Sequence, residues 1–183
     1  VTWGLVQAFV VDVFTVSQQS MLPTLTPGDR VLVARPAVDR PVARGDVVVA
    51  DVRGTFLPGR AAGGAAAAGP LRWFRPPPSG ALVVKRVVAV GGDRIACCDP
   101  EGRLLLDGVP LDDPPLAVTG PGGAPFDTVV PPGSVWLVGD NRARSSDSRD
   151  HLGAPGGGGV SESALVGRVV SVLRLGSPDG RVR

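Results

Sequence analysis

Of the 19 basic residues in this 183-residue chain, all but one are arginine, and the exception is Lys85. The difference is chemical. Arginine keeps its proton in a protein, whereas a lysine amine gives its proton up when burial penalises the charge. Lys85 lies inside the run Val83-Val84-Lys85-Arg86-Val87-Val88, which has the composition of a strand. Side chains alternate along a strand, so Lys85 points either into an apolar interior, as a competent base, or outward, as a solvated charge. The sole histidine, His151, borders a glycine-rich loop with no flanking strand to position it.

Two further segments hold chemically capable groups. Ser20 opens Ser20-Met21-Leu22-Pro23-Thr24-Leu25, where Pro23 disfavours helix at Leu22 and predicts an extended backbone beside the serine hydroxyl. A second segment, from Gly139 through Arg149, is dense in Asp, Asn, Arg and Ser. It reads either as a solvated loop with turn-forming residues or as a polar network bracing an active site. Cys97 and Cys98 are adjacent, and disulfide geometry disfavours bonding between neighbours, so two small thiols are expected. A single distant histidine leaves no metal-ligand set in prospect.

The elements that must position these groups are mainly strands. Gly 26 and Pro 19, with valine prominent among the apolar residues, favour short strands joined by turns. Strands are expected at Val31–Ala34, Val47–Ala50, Ala81–Val90, Thr128–Val130, Val135–Val138 and Ser163–Leu175. Asp107-Gly108 predicts a hairpin between Arg103–Leu106 and Val109–Leu111. No helical period or internal repeat stands out. Residues 54–80, rich in Ala, Gly and Pro, read as an irregular surface excursion carrying Trp73 and Phe74. Residues 1–16 are apolar but interrupted by Gln7 and Asp12 and too short for a whole span of about 20 residues. They read as the end of a truncated membrane anchor, an apolar strand at a membrane surface, or a buried first strand. A net charge of +2 with scattered basic residues gives no footprint for nucleic acid.

Taken in order, SMLPTLTPGD, GDVVV, KRVVAVGGDRI and GDNRARSSDSR closely resemble the motifs of bacterial type I signal peptidases. The resemblance runs from about Val16 to about Leu173, includes LVGRVV, and is weakest across 54–80 and 112–127. It implies a mainly β fold: an antiparallel catalytic core with a smaller β-rich insertion. On that basis residues 17–175 form the catalytic domain, about 92–127 the insertion and 176–183 a polar tail.

The resemblance also implies roles. Ser20 is the nucleophile and Lys85 the general base. Ser145 supports the amine, and Asp147, Arg149, Asp140 and Arg86 form the bracing network. The Ser20 N–H contributes to the oxyanion hole. Gln18 stands where some family members place a serine or glycine that completes the hole, and this is a departure. Met21 and Val83 are candidate walls of shallow pockets for small side chains. The implied partners are secreted preproteins with small residues before the cut and a membrane lipid surface. The implied location is the outer face of the bacterial plasma membrane, with no cofactor and a monomeric chain. Competing readings are a self-cleaving stress-response repressor, a Ser20–His151–Asp147 triad, a non-enzymatic β-rich binding module and an inactive relative.

Overall fold

In the computed structural model, residues 11–34, 40–57, 81–111 and 124–174 are described. The chain forms β1 (Val11–Thr15), β2 (Arg30–Ala34), β3 (Val47–Asp51) and β4 (Leu82–Val90). It continues with β5 (Arg94–Cys97), β6 (Leu104–Leu106), β7 (Val109–Pro110) and β8 (Phe126–Val129). The last strands are β9 (Ser134–Val138), β10 (Val160–Ser161) and β11 (Leu165–Leu173). Among the described residues the only helical pieces are short 3-10 turns such as Ser148–Asp150. The protein is mainly β, with antiparallel pairing throughout both sheets.

The larger sheet has the order β1-β2-β11-β3-β4-β9-β10 and the smaller β7-β6-β5-β8. β2 alternates buried valines with half-buried or exposed residues, so one of its faces meets the core. β3 is buried at all five positions because it lies mid-sheet with apolar clusters on both faces. Val31, Val33, Val47 and Val49 pack with Met21 and Leu25 on one face, while Val48, Ala50, Val87 and Leu137 pack on the other. A fully buried valine or leucine contributes roughly 1.5–3 kcal/mol, so these two clusters fix the sheet that carries Lys85. The small sheet shares its core with the large one: Ile95, Leu104 and Phe126 pack on Val88 and Trp136.

The hairpin at Asp107-Gly108 forms where expected. Both residues are left-handed, with φ of 52° and 83°, as a two-residue turn between twisted strands requires. The last predicted strand is shorter than Ser163–Leu175, because Glu162–Ala164 makes a 3-10 turn before β11 begins. The short strands β5 and β10 were not anticipated: they have few residues and gain their hydrogen bonds from distant partners. Residues 11–15 of the apolar start form β1, paired with β2, while residues 1–10 lie outside the described residues. So do 58–80, with Trp73 and Phe74, and the tail 176–183. The expectation of two separate thiols is corrected. Cys97 and Cys98 form a disulfide across a cis peptide, which turns both side chains to the same side with their Cα atoms 3.0 Å apart.

Candidate active site

Lys85 occupies the middle of β4, opposite Val48 on β3. It is 2% exposed, on the face it shares with Val83 and Val87, so the inward orientation is the one adopted. Burial is the main influence on its amine and lowers its pKa. The Asp147 carboxylate opposes that shift, and the Arg149 guanidinium adds to it. The next residue, Arg86, faces the other way and is also buried. Its Nε and Nη2 reach the two oxygens of Asp140 at 2.8 and 2.7 Å, and its Nη1 donates to the Gly45 carbonyl at 2.8 Å. One strand thus delivers a buried amine to one face and an ion pair to the other.

β9 pairs with β4 through Arg86↔Val138 and ends there. One further step of the register sets Lys85 beside Gly139, with the missing Gly139 side chain directed to the face of Lys85. That space is filled. A Cβ on Gly139 would lie 2.5 Å from the Ser20 carbonyl oxygen and 2.6 Å from Ser145 Cβ, and would collide with the Ser145 hydroxyl. Only a glycine lets the Ser20 turn and Ser145 gather on Lys85's face of the sheet.

The Ser20 segment is a turn, not the extended strand end expected from Pro23. Leu25 N–H closes onto the Met21 carbonyl at 2.9 Å, and the Leu22–Pro23 bond is cis. Met21 and Leu25 are 1% and 0% exposed in the same apolar cluster, and a turn brings residues four apart to one pocket. Burial of this pair holds the segment in its turn. Ser20 itself is buried, and its carbonyl accepts from Asn141 N–H at 2.9 Å. Asn141 Nδ2 donates to the Gln19 carbonyl at 3.1 Å, and Thr24 Oγ1 donates to Asp140 Oδ2 at 2.5 Å.

Behind Ser145, its hydroxyl donates to Asp147 Oδ2 at 2.6 Å. Asp147 also accepts from Gly139 N–H at 3.0 Å and from Arg149 Nε and Nη2 at 2.8 and 3.0 Å. Burial pushes the Asp147 carboxyl up, but the Arg149 hydrogen bonds and charge, with Ser145 and Gly139, hold it below its ordinary value. The carboxylate therefore stays ionised and fully partnered in a buried site.

The structure thus brings together Ser20, Ser145, Asp147 and Arg149 around Gly139, with Lys85 on the adjoining strand and Arg86–Asp140 on its other face. Gln18 is exposed and Val83 half-buried, while Met21 lies beneath the surface in the core. His151 is elsewhere engaged: its ring stacks on Phe56 with centroids 4.5 Å apart, and its Nε2 lies 3.2 Å from Ser146 Oγ. Asp147 is occupied by other donors, so the triad reading loses its orienting carboxylate. Among the described residues, no cluster of three or more His, Cys, Asp or Glu is arranged to hold a metal ion. Sequence reasoning assigned no role to Gly139, Asn141 or Thr24. Their motif positions were visible, but their partners lie more than a hundred residues away.

A buried lysine, two serines and a braced aspartate thus gather on an antiparallel β scaffold, at the end of a strand pair. The family model described as signal peptidase, peptidase S26, matches residues 1–174, and the chain belongs to that family. It is similar to the signal peptidase I of Leptolyngbya laminosa, 30% identical over 181 residues, which cover 93% of this chain and 74% of that one. The signal peptidase I of Mycobacterium tuberculosis (strain ATCC 25618 / H37Rv) is 44% identical over 85 residues, covering 41% of this chain. That match spans only 29% of the mycobacterial protein's length. A crystal structure of a signal peptidase I from Enterococcus faecalis V583 overlays with a TM-score of 0.46 at 20% identity, over 71% of this chain and 97% of that one.

Proposed function

We propose that this chain is a serine endopeptidase that removes N-terminal signal peptides from secreted preproteins, with Ser20 as nucleophile and Lys85 as general base. The observation that carries the reading is the chain's one lysine, buried on the face where Ser145 and the Ser20 turn close over Gly139. Burial favours the neutral amine, which takes the Ser20 proton as Oγ attacks the scissile carbonyl. The C–N bond breaks, the Lys85 ammonium returns the proton to the leaving amine, and an acyl-enzyme on Ser20 remains. The same amine then deprotonates the water that releases the acid. Ser145, fixed by Asp147, orients the amine. The developing oxyanion is stabilised by the Ser20 N–H, with Gln18 as candidate second donor.

The substrate is read as an added strand. β4 pairs with β9 only from Arg86 onward, which leaves Leu82, Val83 and Val84 with β3 on one side and, among the described residues, no strand on the other. Those half-buried apolar residues, with Met21 beneath, suit shallow pockets for small side chains before the cut. The outer face of β1, β2 and β11 exposes Val13, Val170 and Leu173, and Arg174 beside it donates to the Thr24 carbonyl of the Ser20 turn at 2.9 Å. An apolar face next to the nucleophile suits work at a lipid surface, on the outer side of the bacterial plasma membrane.

The deciding test is cleavage, in detergent, of a preprotein with an Ala-x-Ala site by wild type, Ser20→Ala and Lys85→Arg. Cleavage by wild type alone is expected, since arginine keeps the charge but cannot act as the base. Cleavage by Lys85→Arg at the wild-type rate would overturn the assignment of the base.

A further inference from the structure

We infer that Asn141 is the positioning residue of the oxyanion hole: it holds and polarises the Gln19–Ser20 peptide whose N–H meets the developing oxyanion. The inference rests on the peptidase reading above and adds a residue to it.

The geometry is local. A trans peptide is planar, with its C=O and N–H pointing in opposite directions. Gripping the Gln19 oxygen therefore fixes where the Ser20 N–H points. Asn141 Nδ2 grips that oxygen at 3.1 Å. The Asn141 backbone N–H holds the carbonyl of the following peptide, that of Ser20, at 2.9 Å. One residue thus pins both peptide planes that flank the nucleophile. Among the described residues none accepts a hydrogen bond from the Ser20 N–H, so the donor at the centre of this clamp is unspent.

Asn141 is itself held. It is 7% exposed, and it follows Asp140, which is locked by Arg86 and Thr24. Thr24 lies in the same turn as Ser20, so the turn is fastened to the 139–141 segment on both sides of the nucleophile. A hydrogen bond accepted by a peptide carbonyl also draws electron density toward oxygen and makes that peptide's N–H a stronger donor. The side-chain amide therefore aims the donor and strengthens it, before the oxyanion forms and without reorganisation during the reaction. Gln19 is pinned at its side chain too, where Oε1 accepts from Arg144 at 3.0 Å, which resists rotation of the same peptide.

Removing a direct oxyanion donor costs roughly 10²–10³ in kcat. Asn141 acts through the donor, so a loss of about 10- to 100-fold is expected for Asn141→Ala. Asn141→Asp keeps the shape but sets a carboxylate oxygen against the Gln19 carbonyl, and its loss should be at least as large. The test measures kcat and KM for a preprotein with an Ala-x-Ala site, plus affinities for two probes, on wild type, both variants and Ser20→Ala. One probe is a peptide aldehyde with alanine at the reacting residue, which forms a tetrahedral adduct on Ser20. The other is the cleaved signal peptide capped as its neutral C-terminal amide, which carries no anionic oxygen at the reacting residue. Thermal unfolding of each variant reports folding.

The expected result is a fall in kcat with little change in KM. Aldehyde affinity should fall in parallel with kcat, and product-peptide affinity should hold within about twofold. Equal losses for aldehyde and product peptide would show a merely structural role and overturn the inference, as would full activity in Asn141→Asp. If wild type and Ser20→Ala are both inactive on preprotein, the peptidase reading falls and takes this inference with it. If wild type is active and only the Asn141 variants match it, the peptidase reading stands and the inference alone falls.

Discussion

Replacing Gly139 by alanine adds one methyl group at the point where the site is assembled, and its consequence follows from distances. The new Cβ would stand 2.5 Å from the Ser20 carbonyl oxygen and 2.6 Å from Ser145 Cβ. Reaching even the 3.0 Å that real contacts respect requires the Ser20 turn to retreat by about 0.5 Å, and Ser145 must give way as well. The retreat pulls on the Asn141–Ser20 hydrogen bond of 2.9 Å, and the displaced Ser145 pulls on its 2.6 Å bond to Asp147. A misplacement of about 1 Å in a catalytic group costs about 10²-fold, so this shift predicts a loss in kcat of roughly 10- to 100-fold. Overpacking should also lower stability by about 1–3 kcal/mol, which for a chain of this size lowers Tm by roughly 2–12 °C. The assay pairs initial rates on an Ala-x-Ala preprotein with thermal unfolding followed by near-UV circular dichroism. Gly133→Ala is the control. Gly133 has a φ of +69° but open space where a Cβ would go, so strain should cost stability while activity per folded molecule is kept. If Gly139→Ala cut within twofold of wild type, the Ser20 turn would not be seated on β9 in the way described, and the packing account of the site would fail.

Other expectations concern charge. Because burial lowers the Lys85 pKa, the unfolded state binds the extra proton, and wild-type stability should rise with pH up to about 10.4, the unfolded value. Lys85→Met should abolish cleavage, lack that slope and be at least as stable at pH 7, as urea unfolding across pH can show. In activity profiles, Arg149→Gln removes a cation that lowers the Lys85 pKa and should move the acid limb to higher pH. Asp147→Asn removes an anion that raises it and should move the limb lower, and shifts in the opposite senses would refute Lys85 as the titrating base. Asp147 titrates below its unfolded value, so its contribution is complete above about pH 4 and fades as pH falls through its folded pKa. Relative to Asp147→Asn, wild type should therefore lose Tm in that acid window. Thr24→Val removes a hydrogen bond to the Asp140 carboxylate and should cost about 1.5–3 kcal/mol in chemical denaturation.

Sequence by itself determined the parts and their chemistry. A lone lysine among arginines, set in a valine run, marked the titratable amine, because residue type alone decides which side chain can lose a proton. Valine-rich runs and Asp107-Gly108 marked most strands and a hairpin, since these depend on local sterics and pattern. The ordered motifs marked Ser20, Ser145, Asp147 and Arg149 as belonging together. What the sequence left open was anything decided by a partner distant along the chain. Whether Lys85 faced in or out was settled by what covers its face of β4, the segment that carries Ser145, Asp147 and Arg149. β11 inserts between β2 and β3, a placement no local pattern encodes. The Ser20 segment closes into a turn because Met21 and Leu25 share one core pocket, which the residue before Pro23 alone does not encode. The roles of Gly139, Asn141 and Thr24 exist only in three dimensions. Each depends on a contact spanning more than a hundred residues, and such contacts are set by how the sheets pack rather than by the identity of neighbours.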